Sequence, residues 1–473
     1  MAQTAALDAA IAATRLGMGA RPGEIARIGG DARGWALAQV TPNGADQPQG
    51  FGSAGALLGT PNRLAEYGRY LDLRRAAARD GAGPDAEEAY RAIQRGIRDE
   101  TMREFAARAR LGAVTNRGFA ERWALFWANW FTVTANTAPM VGLPGAFERE
   151  VIRPNSFGRF VELLVAVERH PAMLMYLDQD RSIGPNSPQG RQATGRGRGL
   201  NENLAREIME LHTVGADGGY SQSDVTEFAR ALTGWGTLNG DQAEALDEQG
   251  AGARTGFTFR PNIHEPGERR IMGRAYADDG LQQATRVMRD LAAHPATAWR
   301  VASKLAGHFV SDTPPPNLIT RLEQAFQRSS GDLSVVARAL IEAPETWAPE
   351  PAKVKSPYDF LVSAYRAAGR QPGRTGQINS LAGGLGQTPF RAPSPEGWPD
   401  DAGSWASPDG MVRRLGFAQS LAAEAAPSGD VAARAADVLG ARLGMRSATA
   451  IRRSESREEA FALLLMSPEF QRR

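Results

Sequence analysis

FAERWALFWANWFTV, residues Phe119–Val133, decides the fold class. Trp123, Phe126, Trp127 and Trp130 recur at i, i+3, i+4 and i+7, the spacing of one face of an α-helix. A face this apolar is not stable in water. It reads as a core helix. A groove for a cofactor or a lipid is the other reading of the same stripe.

The neighbouring segments repeat the helical period. Upstream, Asn62–Arg79 carries Leu64, Tyr67 and Leu71 on one side. Asp85–Leu111 carries Tyr90, Ile93, Ile97 and Phe105, with Arg/Glu pairs opposite. Residues 1–40 read as two short helices broken at Gly17, Gly19 and Arg21-Pro22-Gly23. Downstream, a helix through AFEREVIRP is predicted to stop at Pro154. The next, FGRFVELLVAVERHP, ends at His170-Pro171. Helices are expected again at Leu281–Ala293, Ala296–Val310, Leu318–Ser329, Leu333–Ala343 and Tyr358–Ala368, then near 411–425, 429–440 and 457–466. Residues 178–199, 236–256 and 383–410 lack apolar periodicity and read as long irregular loops. FTFRPNIHEPGERRIMG (257–273) opens with alternation, which predicts a minor β-hairpin near 257–275. The expected fold is mainly α: a large, multi-helical, bundle-like domain with no solenoid period. One helical unit over 1–473 is expected, with possible sub-domains at 1–180, 181–275 and 276–473.

Composition narrows the function classes. The 473 residues are 42% hydrophobic, enough for a substantial core, and carry a net charge of +2. No global field therefore favours nucleic acid or an anionic membrane. The absence of Cys excludes disulfides, thiolate nucleophiles, Cys-ligated zinc and iron–sulfur clusters. There is no 18-residue apolar run to span a membrane. The first residues lack a basic region followed by an apolar one, so a cytoplasmic location is expected. Periplasmic export beside a partner is the alternative. The basic side is almost wholly Arg: Lys occurs at 304, 353 and 355.

Possible chemistry is densest in GLNENLAREIMELHTVGADGGYSQSDVTEFARALTGW, Gly199–Trp235, which holds six carboxylates in 37 residues. On a helix over Asn201–His212, Glu202, Asn203, Arg206, Glu207 and Glu210 share one side and Leu204, Ile208 and Leu211 the other. The ridge reads as a surface ladder of i,i+4 ion pairs, or as an Arg held among carboxylates for acid–base or metal chemistry. The Glu-x-x-His signature of di-metal bundles is missing. Ser221 and Asp224 form a capping box for a second helix. Asp217 and Asp224 could instead serve as calcium ligands, although Thr213 and Gly215 are poor companions for that role. His264-Glu265 lies in a Pro/Gly-rich turn and is a candidate ligand or base. Lys304, one turn before His308, offers a compact ammonium. No Walker, Gly-x-Ser-x-Gly or His-Glu-x-x-His motif occurs, and Gly195–Gly199 follows no strand.

Gly199–Trp235 resembles the signature of the bacterial domain-of-unknown-function 1800 family. So do RLGMGARPGE (15–24), FWANWFTV (126–133), HPAMLMYLDQDRSIGPN (170–186), HEPGERRIMG (264–273), ASKLAGHFVSDTPP (302–315), KVKSPYDF (353–360) and SPEGWPDD (394–401). The resemblance implies a mostly helical, largely prokaryotic protein without an assigned activity. It also implies a partner, a sulfatase-like protein of the domain-of-unknown-function 1501 family, and an envelope setting. Asn129-Trp130-Phe131 departs from the family's common Asn-His-Phe, and Glu265 stands where the family commonly has Asp.

These readings together predict a polar cleft walled by Asn201, Glu202, Asn203, Arg206, Glu207 and Glu210, the 178–199 loop, Trp235, His264-Glu265, Lys304 and Trp398. Glu207, Glu210, His264 and Glu265 are the catalytic candidates. Two functions are expected of it. One is assembly with the sulfatase-like partner; the other is hydrolase or metal-dependent chemistry with a divalent ion.

Overall fold

A computed structural model describes residues 2–51, 55–79, 83–192, 199–243 and 256–473. Helix makes up 64% of the structure and strand 4%. The aromatic stretch is the helix Gly118–Trp130, and Trp123 and Trp127 are fully buried. Trp123 stacks on Phe157 with ring centroids 5.8 Å apart, and its indole N–H donates to the Ser156 carbonyl at 2.6 Å. Trp127 meets Phe160 at 5.9 Å. The stripe is core. One hydrophobic cluster extends from Ala9 to Phe470, so both ends of the chain contribute to the same core as this helix.

The long helix Pro84–Val114 starts on Pro and the preceding Thr60–Ala77 carries Pro61 in its first turn, where the missing N–H is harmless. Pro154 does not end its helix. Residues Glu148–Ile152 widen into a π-turn, with the Arg153 N–H reaching back to the Glu148 carbonyl. The wider turn accommodates a proline ring that would strike the carbonyl four residues back in an α-helix. The same region buries a charge cluster. Arg153 is fully buried and bonds Glu121 at 2.7 and 2.9 Å and Glu148 at 2.8 Å; Arg108 holds the other Glu148 oxygen at 2.9 Å. Burial opposes ionisation of Glu148, but Arg153 and Arg108 outweigh it and hold its carboxyl below the usual range.

The expected hairpin near 257–275 is two separate ribbons. Strand β1 (Trp235–Thr237) pairs antiparallel with β2 (Phe257–Phe259). Strand β3 (Arg269–Ile271) pairs with β4 (Arg274–Tyr276). Met272 and Gly273, at φ 47° and 77°, make the tight turn of the second ribbon. Phe257 thus joins the strand that follows the capped helix rather than its own sequence neighbours. Among the described residues, no helix is long and apolar enough to cross a membrane. The Gly195–Gly199 motif, residues 193–198 of the first long loop and residues 244–255 of the second lie mostly or wholly outside the described residues.

Candidate functional site

The acidic ridge forms, but not as one regular helix. Asn203–Glu207 is α-helical, and Ile208–His212 continues as a π-turn. Of the expected ladder, the Arg206–Glu202 pair forms. Arg206 bonds Glu202 at 3.1 Å, and Glu202 also accepts from Gln222 and Thr226 at 2.7 Å each. Glu202 therefore ties the first helix to the second, Gln222–Leu232. Asn203 is exposed. Burial raises the half-buried Glu207 carboxyl above its usual range. Asn201 bridges backbone groups: its amide donates to the carbonyls of Leu177 and Asp178 and its oxygen accepts from the Asn203 N–H. The capping box is present as expected, with the Ser221 N–H donating to Asp224 at 2.8 Å and the Asp224 N–H to Ser221 at 3.2 Å. Asp224 also accepts from the Met272 N–H, while Asp217 is exposed. Both carboxylate oxygens of Asp224 are thus occupied in holding the second β-ribbon to the helix start.

His264 and Glu265 serve the opposite end of that second helix. His264 Nδ1 lies 2.7 Å from the Thr233 carbonyl. Glu265 accepts from the backbone and side-chain amides of Asn186 at 2.7 and 2.6 Å, which anchors the loop after Asp178. Trp235 is fully buried, with Phe257 edge-on and the Arg169 guanidinium 5.3 Å from its ring. Thr226, the ridge contact, and Thr233, the His264 contact, are seven residues apart, about 10 Å along a helix. Ridge and turn thus pack against different ends of one helix. Among the described residues, no group of three His, Asp or Glu converges as a metal ion requires.

Lys304 and Trp398 lead elsewhere. Helix Pro295–Phe309 presents Arg300, Lys304 and His308 at i, i+4 and i+8, a single stripe. The loop Ser394–Asp401 straps across it. Lys304 Nζ lies 3.2 Å from Glu396, and His308 Nδ1 lies 2.7 Å from Asp400. Asn129 on the aromatic helix clips the strap through both backbone groups of Trp398, at 2.8 and 2.9 Å. Gly397 permits this approach: its φ is +92°, and a Cβ there would sit 2.5 Å from the Asn129 carbonyl oxygen.

Beneath the strap lies a cleft of about 130 Å³, lined among others by Arg122, His308, Tyr358, Asp359, Trp398, Asp400 and Arg473. The residues just named come from five separate parts of the chain, the strap among them. Arg122 is on the aromatic helix and His308 on the stripe. Asp359 sits in the first turn of helix Pro357–Ala368. Arg473 is fixed by its N–H, which donates to the Lys353 carbonyl at 2.9 Å. Arg122 bonds Asp359 at 2.9 Å, Arg473 lies 3.4 Å from Asp359 and 3.3 Å from Asp400, and Lys353 bonds Asp312.

The charge states follow from these contacts. Burial opposes ionisation of Asp359, but Arg122 and Arg473 hold its carboxyl far below the usual range. The same contest at Asp400 is won by His308, Arg473 and Lys353. Burial pushes the His308 imidazole down to about 4 against the pull of Asp400, and Arg473 and Arg122 push the same way. His308 is therefore neutral at pH 7. Its Nδ1–H donates to Asp400, which leaves a lone pair on Nε2. That nitrogen is buried and without a hydrogen-bond partner. The ring is wedged between Phe126 and Phe309, with centroids 5.3 and 4.9 Å away. A neutral imidazole oriented by a carboxylate, on a residue that lines the cleft and with its second nitrogen unpaired, is in the protonation state of a general base.

Of the residues singled out in the sequence, Trp398 lines this cleft and Lys304 sits one turn from His308, whereas Arg122, Asp359 and Arg473 carry no local signal. The three lysines pair with residues near these segments: Lys304 with Glu396, Lys353 with Asp312, and buried Lys355 with Ser363, to which it donates at 3.1 Å.

A family model described as Protein of unknown function (DUF1800) matches residues 11–472. No curated protein and no solved structure matches the chain. The chain belongs to the domain-of-unknown-function 1800 family.

Proposed function

We propose that the protein is an enzyme of the general-base class, in which His308, oriented by Asp400, activates a water molecule or a substrate hydroxyl in the cleft beneath the Ser394–Asp401 strap. One observation carries this reading: His308 Nδ1 is 2.7 Å from Asp400 while Nε2, on a residue that lines the cleft, has no partner. A general base in this setting contributes roughly 10²–10⁴-fold to rate. Arg122 and Arg473 set the electrostatics, and the strap with Trp398 restricts water. Hydrolysis is the reaction type such a base serves most directly.

The test is a turnover screen with nitrophenyl carboxylate esters and nitrophenyl phosphates, on the wild type and His308→Gln. We expect wild-type turnover on one set and a loss of at least about 100-fold in the variant, with unchanged circular dichroism. No wild-type turnover on either set, or equal turnover by both proteins, overturns the reading.

An assembly role beside a sulfatase-like protein is a second reading and would use a surface outside the cleft. Val412 and Leu415, 68% and 43% exposed on helix Pro408–Ala425, support it as an aliphatic pair open to solvent. Co-expression should then yield a complex that Val412→Glu disrupts; co-purification unaffected by that change rejects this surface.

A further inference from the structure

We infer that the cleft takes its ligand by an oxyanion, a carboxylate or a phosphate, held by the free N–H of Arg473. This deepens the reading of the cleft as an active site and rests on it. Arg473 is 1% exposed and lines the cleft. Its Nη2 faces Asp400 at 3.3 Å, and its Nε lies 3.4 Å from Asp359 without forming a hydrogen bond. Its Nη1 is buried with no acceptor at all. A buried guanidinium N–H without an acceptor is costly, and a ligand oxygen is what would satisfy it.

The surroundings favour a negative ligand. Next to the cleft, Arg122, Arg473 and Lys353 are matched by Asp359, Asp400 and Asp312. Behind them stands a second tier, Arg15, Arg414 and Arg442, which gives its N–H groups to neutral acceptors. Arg15 donates to the carbonyls of Thr346 and Ala348 at 2.7 Å each. Arg414 donates to the Gln471 side chain at 2.8 Å and the Lys355 carbonyl at 2.6 Å. Arg442 donates to the Thr14 hydroxyl. Burial brings each of these three guanidinium groups down to about 10, and Arg473 adds repulsion at Arg15. Exposed Glu350 offsets Arg442 in part, and Asp359 offsets Arg414. These three buried cations have no carboxylate hydrogen-bonded to them, and a low-dielectric surrounding extends their field. A carboxylate or phosphate on Nη1 would share the cleft with His308 and Trp398, which line it as well.

The experiment is titration calorimetry with sodium phosphate, sodium acetate and, at matched ionic strength, sodium chloride, on the full chain. Saturable binding of phosphate or acetate is expected, with no comparable signal from chloride. A ¹⁵N shift of His308 Nε2 should accompany it. Arg473→Gln should weaken binding roughly tenfold or more, and Arg473→Lys should restore part of it. His308→Gln should bind the oxyanion within about threefold of wild type while losing turnover, because removing the base leaves the anion contact in place. Equal heats from chloride, or wild-type binding by Arg473→Gln, overturn the inference. If Arg473→Gln does not fold, the wild-type comparison of the three salts with the His308 shift decides the question. Should His308→Gln keep its turnover while oxyanion binding persists, the base role fails and the anion site stands.

Discussion

The neutral state of His308 makes a quantitative prediction about acid stability. In the unfolded chain the imidazole titrates at 6.5; in the folded cleft burial lowers this to about 4. Between those values the unfolded state binds a proton that the folded state refuses, so stability falls as pH drops from 6.5 towards 4. The gap corresponds to roughly 3 kcal/mol, and the 16% exposure of the side chain trims this towards 2. Urea unfolding at pH 7.5, 6.0, 5.0 and 4.5 measures it for wild type and His308→Gln. The wild type should lose about 2–3 kcal/mol more than the variant across that range. Asp359 and Asp400, held below the ordinary carboxylate range, lose their contribution at still lower pH and fall largely outside this window. Parallel curves for the two proteins would refute the assignment of a neutral, buried His308.

Three further outcomes follow from particular contacts. Gly397→Ala, which drives a Cβ into the Asn129 carbonyl, should cost about 2 kcal/mol and speed hydrogen exchange of the 394–401 amides, as read by mass spectrometry. Arg153→Ala strands the buried Glu121 carboxylate and leaves Glu148 with Arg108 alone, and should cost about 3–5 kcal/mol in chemical denaturation; a loss under 1 kcal/mol would show that Glu121 finds another partner. Trp127→Ala leaves a cavity among Phe131, Phe160 and Trp130 and should cost about 3–5 kcal/mol, seen as a lower urea midpoint.

The helices were legible because their signals are local. A Trp/Phe stripe at helical spacing, Pro in first turns and the Ser221–Asp224 box each act within a few residues. What escaped detection depends on distant partners. The π-turn at Ile208–His212 accompanies His212 meeting Glu168 at 2.7 Å from another helix, which no local period encodes. The pairing of Phe257–Phe259 with Trp235–Thr237 joins residues about twenty positions apart in the sequence. The cleft is the clearest case. Arg122 reads as the polar edge of an apolar helix and Asp359 as a first-turn acid, and only the fold places them 2.9 Å apart. The Glu202–Glu210 ridge drew attention by density along the chain. There Glu202 is a clamp between two helices, and the free imidazole nitrogen lies beneath a strap whose sequence, SPEGWPDD, is short and carries no known chemical motif.

The clipping of that strap by Asn129 has a consequence for biosynthesis. The floor of the cleft is made early, at Arg122, while its wall and roof wait for Asp359, Asp400 and Arg473. A ribosome releasing about 5–20 residues per second leaves the floor exposed for tens of seconds. During that interval Arg122 has none of its acidic partners and the Trp130 end of the aromatic helix lacks its cover. The nascent chain should therefore be a strong client for chaperones until its last helices emerge, and pulse-labelled chains halted before residue 394 should remain protease-sensitive where the full chain is not.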